Sequence, residues 1–399
     1  MMARICFILI IFVLFSASGV SQDTKENADF KLAVNLYNDK LHDLAVEQFR
    51  QFVAMYPNTQ QGIEARFYLG LCQTQLKRFD EARLTFQNFA LGFPEHPKAP
   101  EAWWNVAESY VALNNAREAA LAFERVKTFH PRSKLAPGAL IKSAEYFEVA
   151  RDPESAKKVL RALIQDYSSS DVVLPGRLRL AQMYLSDNQL ELARAEARRV
   201  IDGSRDPELK AQAYVTTAEA LTRIGKLEEA QNALGDVVKS HKATSTYYTA
   251  LLLLGSLQRE LGGVSDALDS WRAIVDDSAE APADIRQDAL VRSGDSYLLR
   301  KEYANAVSAY ERAAVINGNL RGDAAYRAGG AALKAGAFSK AATLLKRAAE
   351  DSSLTVDRRD VLFRTAQATA AARRYSEATR LFQRYRDQFP DDPRAGEAL

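Results

Sequence analysis

An alanine returns about every 37 residues along this chain, ten times in register: Ala45, Ala82, Ala119, Ala156, Ala193, Ala230, Ala267, Ala306, Ala341 and Ala378. The steps are 37 residues six times, then 39, 35 and 37, so a two-residue insertion is compensated at the next repeat. Twelve residues before each alanine stands a second small residue: Ala33, Gly70, Ala107, Ala144, Ala181, Ala218, Gly255, Gly294, Gly329 and Ala366. Four residues after it comes an apolar side chain, usually large: Phe49, Phe86, Phe123, Leu160, Ala197, Leu234, Trp271, Tyr310, Leu345 and Phe382. Self-similarity at such a period marks a chain of equal units, each burying its apolar face against its neighbours. It constrains the fold more than any local motif.

Each unit reads as two helices and a turn. In the second, Ala65 to Leu76 carries apolar residues at helical spacing, Lys77-Arg78 turns the chain, and Phe79 to Phe93 resumes the pattern. The two small residues fall one on each helix, where the backbones are expected to approach closest. Five residues before each alanine stand Asn114, Asn188, Gly225, Gly262 and Gly336, with Lys or Arg in the other units. Gly and Asn tolerate the left-handed conformation that ends a helix. Asp152-Pro153 supplies an N-cap followed by proline at the first helical position. Second helices close on Tyr56-Pro57, Phe93-Pro94, His130-Pro131 and Phe389-Pro390.

A recurring order of small residue, aromatic, alanine, apolar residue, alanine and proline is clearest at Leu69-Gly70, Phe79, Ala82, Phe86 and Pro94. It returns at Gly294, Tyr297, Tyr303, Ala306, Tyr310 and Ala313. This pattern resembles the tetratricopeptide repeat from about residue 28 to the end. The resemblance implies an all-α fold, a right-handed α-solenoid of about ten helix-turn-helix units, and a role in binding other proteins. The period of 37 exceeds the usual 34, with the additional residues between one unit's second helix and the next unit's first. That longer link, as in residues 49–70, resembles the branch found in bacterial envelope proteins, such as the outer-membrane assembly lipoprotein BamD and the cell-division coordinator of the Tol–Pal system.

Before the repeats, Met1 to Arg4 is short and basic, Ile5 to Phe15 is apolar, and Ser16 to Ser21 is small and polar. This is the layout of a secretory signal peptide over residues 1–21. The apolar run is shorter than the roughly 20 residues of a membrane span. Cleavage is expected between Ala17 and Gln22. No cysteine follows the small residues, so the lipid anchor of BamD is not expected, and the mature chain belongs in the periplasm or outside the cell. Loss of Cys6 with the signal leaves Cys72 alone, unable to form an internal disulfide and read as a partly buried filler. No Ser/Gly/Pro-rich linker breaks the register, so residues 22–399 are read as one elongated solenoid domain. The residues Phe389 to Leu399 repeat the run Phe93 to Trp103 that opens a first helix, so the array is expected to continue beyond 399.

Charge and chemistry narrow the function. With 53 basic and 51 acidic residues, the net charge of +2 does not supply the positive excess that phosphate backbones require, so nucleic acid is not the expected ligand. His42, His96, His130 and His241 lie far apart, without metal-ligand spacing. Gly262-Gly263 and Gly329-Gly330 follow the turn and contact rules of the repeat rather than those of a phosphate loop. No catalytic residue, cofactor or metal is therefore expected.

What remains is surface. Fifteen residues before each alanine lies an apolar row, from Phe30 and Phe67 to Phe363, read as core between units. One residue later come Lys31, Tyr68, Asn105, Lys142, Arg179, Thr216, Leu253, Arg292, Arg327 and Arg364. The resemblance places this position in a concave groove where partners bind, so Tyr68, Asn105, Lys142, Arg179, Arg292, Arg327 and Arg364 are the candidate partner residues. Two readings of the row stand. It is a cationic track for acidic or C-terminal carboxylate ligands, or a solvated face of local ion pairs: Asp288–Arg292, Asp323–Arg327, Asp360–Arg364 and Lys142–Glu145, each worth about 0.2–0.5 kcal/mol. The lysine and asparagine clamp of the chaperone-binding members is absent. The expected function is a non-enzymatic scaffold of the bacterial envelope, holding a partner segment in outer-membrane or envelope assembly. The alternative is an accessory subunit, or the binding part, of an envelope enzyme or polysaccharide-export system.

Overall fold

The structure, a computed structural model, describes residues 24–396. The expected signal peptide and its cleavage site lie outside the described residues, as do the last three positions. All regular structure among the described residues is helical, apart from turns. Contacts gather the chain into two compact units, divided between Met183 and Tyr184. In the first, the helix pairs are α1 (24–38) and α2 (His42–Met55), α3 (Gln60–Gln75) and α4 (Phe79–Gly92), α5 (Ala99–Ala112) and α6 (Ala116–Phe129), and α7 (Ala136–Val149) and α8 (Pro153–Asp166). The boundary falls within α9 (Val173–Ser186), which α10 (Leu190–Gly203) follows. The second unit continues with α11 (Pro207–Ile224) and α12 (Leu227–Ser240), α13 (Tyr247–Glu260) and α14 (Val264–Asp276), α15 (Ala283–Leu299) and α16 (Tyr303–Val315), α17 (Arg321–Lys334) and α18 (Phe338–Glu350), and α19 (Arg358–Ala371) and α20 (Tyr375–Gln388). From α2 to α8, and again from α10 to α20, consecutive helices pack on one another in chain order, the arrangement of an α-solenoid of helix-turn-helix repeats.

The turn inside every repeat is the same. At all ten positions five residues before the repeat alanine the backbone is left-handed, from Lys40 (φ 61°) and Lys77 (φ 57°) to Gly336 (φ 72°) and Arg373 (φ 60°). The amide of this residue donates to the carbonyl three residues back, and the next amide reaches five back, as in Lys77→Thr74 and Arg78→Gln73. This double closure satisfies the orphan carbonyls at the helix end. Lys and Arg occupy it as well as Gly and Asn.

All ten repeat alanines are buried, and so are their ten small partners. Their packing differs from a simple contact of small residue on small residue. Where the partner is glycine, a Cβ there would run into the large side chain four residues after the alanine: Gly70 faces Phe86, Gly255 faces Trp271, Gly294 faces Tyr310 and Gly329 faces Leu345. The first-helix small residue therefore seats the second helix's largest core side chain. Of the apolar row fifteen residues before each alanine, Phe67, Leu178, Val215, Leu252, Val291 and Phe363 are buried core, whereas Phe30, Trp104, Ile141 and Tyr326 are half-buried.

The 37-residue period has a physical cause in the links. Phe93, with φ −133°, ends α4 ahead of Pro94 and donates to Phe89. Two tight turns then follow, His96 N→Phe93 O and Ala99 N→His96 O, and the same pair recurs at His130, Ser133 and Ala136. Asp152 caps α8 through Ser155 N at 3.2 Å, with Pro153 in the first turn. Thr59 caps α3 through Gly62 N, so that helix starts five residues before its apolar period becomes visible.

Candidate functional site

Of the candidate row, Tyr68 and Asn105 serve the repeat itself. Tyr68 on α3 stacks on Phe49 at 5.5 Å, meets Phe30 edge-on and carries Lys98 over its ring at 4.9 Å. It fills the space between the first two repeats. Asn105 on α5 donates to the Glu101 carbonyl at 2.9 Å. Thr216 is buried and bonds back to Gln212 O.

The five basic candidates, Lys142, Arg179, Arg292, Arg327 and Arg364, are paired. Lys142 on α7 meets Glu145 at 2.9 Å. That hydrogen bond holds its pKa above the ordinary lysine value against the opposing effect of burial, and the nearby Glu108 adds to it. Arg179 on α9 reaches back to α7, with Nε 2.5 Å from Glu148 and Nη1 3.3 Å from Glu145. Arg292 on α15 grips Asp288 with two bonds of 2.9 Å and gives Nη1 to Ser256 Oγ of α13 at 2.7 Å. Arg364 on α19 pairs with Asp360 at 2.7 Å and lies over the Tyr326 ring. Burial works against ionisation of Asp360, yet hydrogen bonds from Tyr326, Arg364 and Arg394 keep its carboxyl below the usual range.

The expected pair Asp323–Arg327 does not form. Asp323, in the first turn of α17, spends both oxygens on Thr355 of the following link, accepting from its amide at 2.8 Å and its hydroxyl at 2.6 Å. Arg327 turns instead to Asp295 of α15, at 2.7 Å. Asp295 already accepts the Tyr310 hydroxyl at 2.5 Å, and burial and this bond together raise the Tyr310 pKa.

A second row thus enters the site, eleven residues before each alanine, which the sequence reading did not single out. At three steps its member on one first helix meets the candidate row of the next: Glu145 meets Arg179, Ser256 meets Arg292, and Asp295 meets Arg327. Each such pair is worth about 0–1 kcal/mol. Their effect is to fix long side chains in place while leaving 32–46% of the basic ones exposed. Fixed, partly free guanidinium groups retain donors for planar carboxylates or backbone carbonyls.

The histidines have structural surroundings. His42 leans on Tyr37, His241 on Tyr214 and His96 on Phe89, and His96 Nδ1 accepts the Lys98 amide. Burial lowers the pKa of His96 and His130. Cys72 is fully rather than partly buried, and burial pushes its thiol up to about 12. Among the described residues no group of three His, Cys, Asp or Glu is placed to hold a metal ion, and no helix is long and apolar enough to cross a membrane.

None of the curated proteins compared with the chain matches it. Solved structures do. The C-terminal part of a TPR repeat-containing protein from Cytophaga hutchinsonii is 13% identical, with a TM-score of 0.47 over 63% of this chain and 95% of that one. A tetratricopeptide repeat protein from Parabacteroides merdae is 13% identical, with a TM-score of 0.42 over 66% and 97%. PilF of Pseudomonas aeruginosa is 12% identical, with a TM-score of 0.41 over 54% and 90%. Sequence profiles of the tetratricopeptide repeat match residues 30–91, 215–285, 252–324 and 326–393, and a shorter one matches 101–133. With more than half of its residues so matched, and with the left-handed turn, the buried alanine and its small partner in all ten repeats, the chain belongs to the tetratricopeptide repeat family.

Proposed function

We propose that this protein is a non-enzymatic scaffold that holds an extended segment of a partner protein along the face formed by its first helices. Repeats of this family generally mediate protein–protein interaction. The observation that carries the reading here is the cross-repeat pairing of Arg179, Arg292 and Arg327 with Glu145, Ser256 and Asp295. It orders polar side chains before a ligand arrives, which lowers the entropy lost on binding. The setting is the bacterial envelope, in outer-membrane or envelope assembly. Support for that comes from the signal-peptide layout of residues 1–21 and from the long link shared with the envelope branch of the family.

Site-directed photocrosslinking tests it. A photoreactive amino acid at Asn105, Lys142 or Arg327 is expected to trap one and the same envelope protein. The same group at Leu84 or Arg272, on second helices, is expected to trap none. Adducts from the second-helix positions alone would overturn the reading. Sequencing the N-terminus of periplasmic protein checks export, with a start between Ser18 and Asp23 expected; an intact Met1 chain recovered from membranes would refute it.

A further inference from the structure

At three steps an arginine of one first helix meets the eleventh-residue position of the first helix before it, and at a step that has the acid but no such arginine a cleft opens. From α11 to α13 the eleventh-residue position is Glu219 and the facing candidate position is Leu253, where the corresponding steps supply Arg179, Arg292 and Arg327. Among the described residues Glu219 makes no hydrogen bond or salt bridge. The charge acting on it is Arg223, one turn along α11, whose Nη1 is given to the Leu185 carbonyl at 2.8 Å. Burial, the larger influence, raises the Glu219 pKa in spite of Arg223.

Glu219 lines a cleft of about 290 Å³ whose walls include Leu234, Leu253 and Leu257, with Glu260 at the same opening. The lining is thus mostly apolar with two carboxylates and one engaged guanidinium, a net negative charge. A half-buried carboxylate against leucines is costly unless a cation meets it, and where Glu145 and Asp295 hold the same position the chain provides that cation itself, as Arg179 and Arg327.

We propose that the cleft is a subsite for an arginine side chain of the partner segment, flanked by apolar residues, that takes the place of the missing intramolecular arginine. Its guanidinium pairs with the Glu219 carboxylate, and its methylene stem lies along Leu253 and Leu257, as arginine stems do on apolar surface. The cleft's volume suits a side chain rather than a larger organic ligand. The proposal rests on the reading that the partner lies along the first-helix face.

A fluorescent pentapeptide of sequence Gly-Leu-Arg-Leu-Gly, and its counterpart with neutral citrulline for arginine, provide the probe. Fluorescence polarisation with the wild-type protein should show at least about tenfold tighter binding of the arginine peptide. Glu219→Gln, nearly isosteric, should erase the preference. Leu253→Arg should also erase it, by supplying the absent partner to Glu219 and filling the cleft, with no loss of melting temperature. Equal binding of the two peptides by the wild-type protein, failure of both to bind, or a preference that survives either variant would overturn the subsite. If crosslinks are obtained at Asn105, Lys142 and Arg327 while the peptides are not distinguished, the subsite alone falls. Discrimination of the peptides without such crosslinks would count against the scaffold reading instead.

Discussion

The second and third repeats and the eighth and ninth fill the same contacts in opposite ways. Around α3 to α6 the core is aromatic: Phe67, Phe86, Phe89, Trp103 and Phe123 are buried, and the Phe67 ring meets Phe86 and Phe89 edge-on at 5.3 and 5.4 Å. Around α16 to α18 it is largely alanine, with Ala306, Ala313, Ala324, Ala328, Ala331 and Ala341 all buried. The glycines of both regions face two kinds of neighbour. At Gly70 the nearest atoms to an added Cβ are all in the Phe86 ring. At Gly322 they are backbone atoms of Leu354, 2.7 and 2.9 Å away, and at Gly329 the Leu345 amide nitrogen lies within 3.3 Å. At Gly70, as at Gly294, a side chain separates the elements. At Gly322 the main chains themselves come close, as they also do at Gly62 of α3, where an added Cβ would run into the Tyr56 carbonyl oxygen.

The largest effect should follow from removing the aromatic spacer. Phe86 is fully buried between Phe67 and Gly70. Phe86→Ala should cost about 3–5 kcal/mol, since close packing leaves little room for the cavity to collapse. Urea unfolding measures it. A cost below about 2 kcal/mol would show that the aromatic core is loosely packed, and the contrast with the alanine repeats would lose its basis.

Substituting the glycines sharpens the comparison. Ala33, Ala107 and Ala366 stand opposite Phe49, Phe123 and Phe382 in their own repeats, so a phenyl ring can accommodate a methyl group at this position. Gly70→Ala should therefore cost less than about 1 kcal/mol, whereas Gly322→Ala forces main chain against main chain and should cost about 1–3 kcal/mol. The reverse order of the two midpoints would break the distinction between a movable and an immovable neighbour.

Much of this architecture was legible in the sequence because it repeats. The ten alanines, their small partners and the turn positions each recur at a fixed offset, and each offset has a local cause: burial at Ala119 and Ala107, a left-handed helix end at Asn114 and Gly225. The candidate row was half legible. Asp288–Arg292 and Asp360–Arg364 share one helix, four residues apart, so spacing reveals them. Arg179–Glu145 and Arg327–Asp295 are 34 and 32 residues apart and depend on how successive first helices align. Asp323 was drawn away by Thr355, in a link without periodic pattern. The seating of Trp271 on Gly255 was hidden for a similar reason: each residue fits its own row, and only three dimensions show the rows to be opposite.

The smallest effect tests whether the turns are indifferent to what fills the core. Lys77, in the aromatic repeats, and Gly336, in the alanine repeats, hold the same left-handed conformation, φ 57° and 72°. At Gly336 no atom lies within 4 Å of an added Cβ, so Gly336→Ala probes the backbone conformation alone. The left-handed region disfavours a Cβ by about 1–2 kcal/mol, and alanine also restricts the unfolded chain, which returns part of that. A net loss of about 1 kcal/mol is expected. Lys77→Gly reverses both contributions and should gain between a few tenths and about 1 kcal/mol. Opposite signs with similar size would show that the turn acts independently of the packing around it. A loss at Lys77→Gly would mean instead that the aromatic repeats hold their turn through the lysine side chain, and the two regions would then differ in how they turn as well as in how they fill.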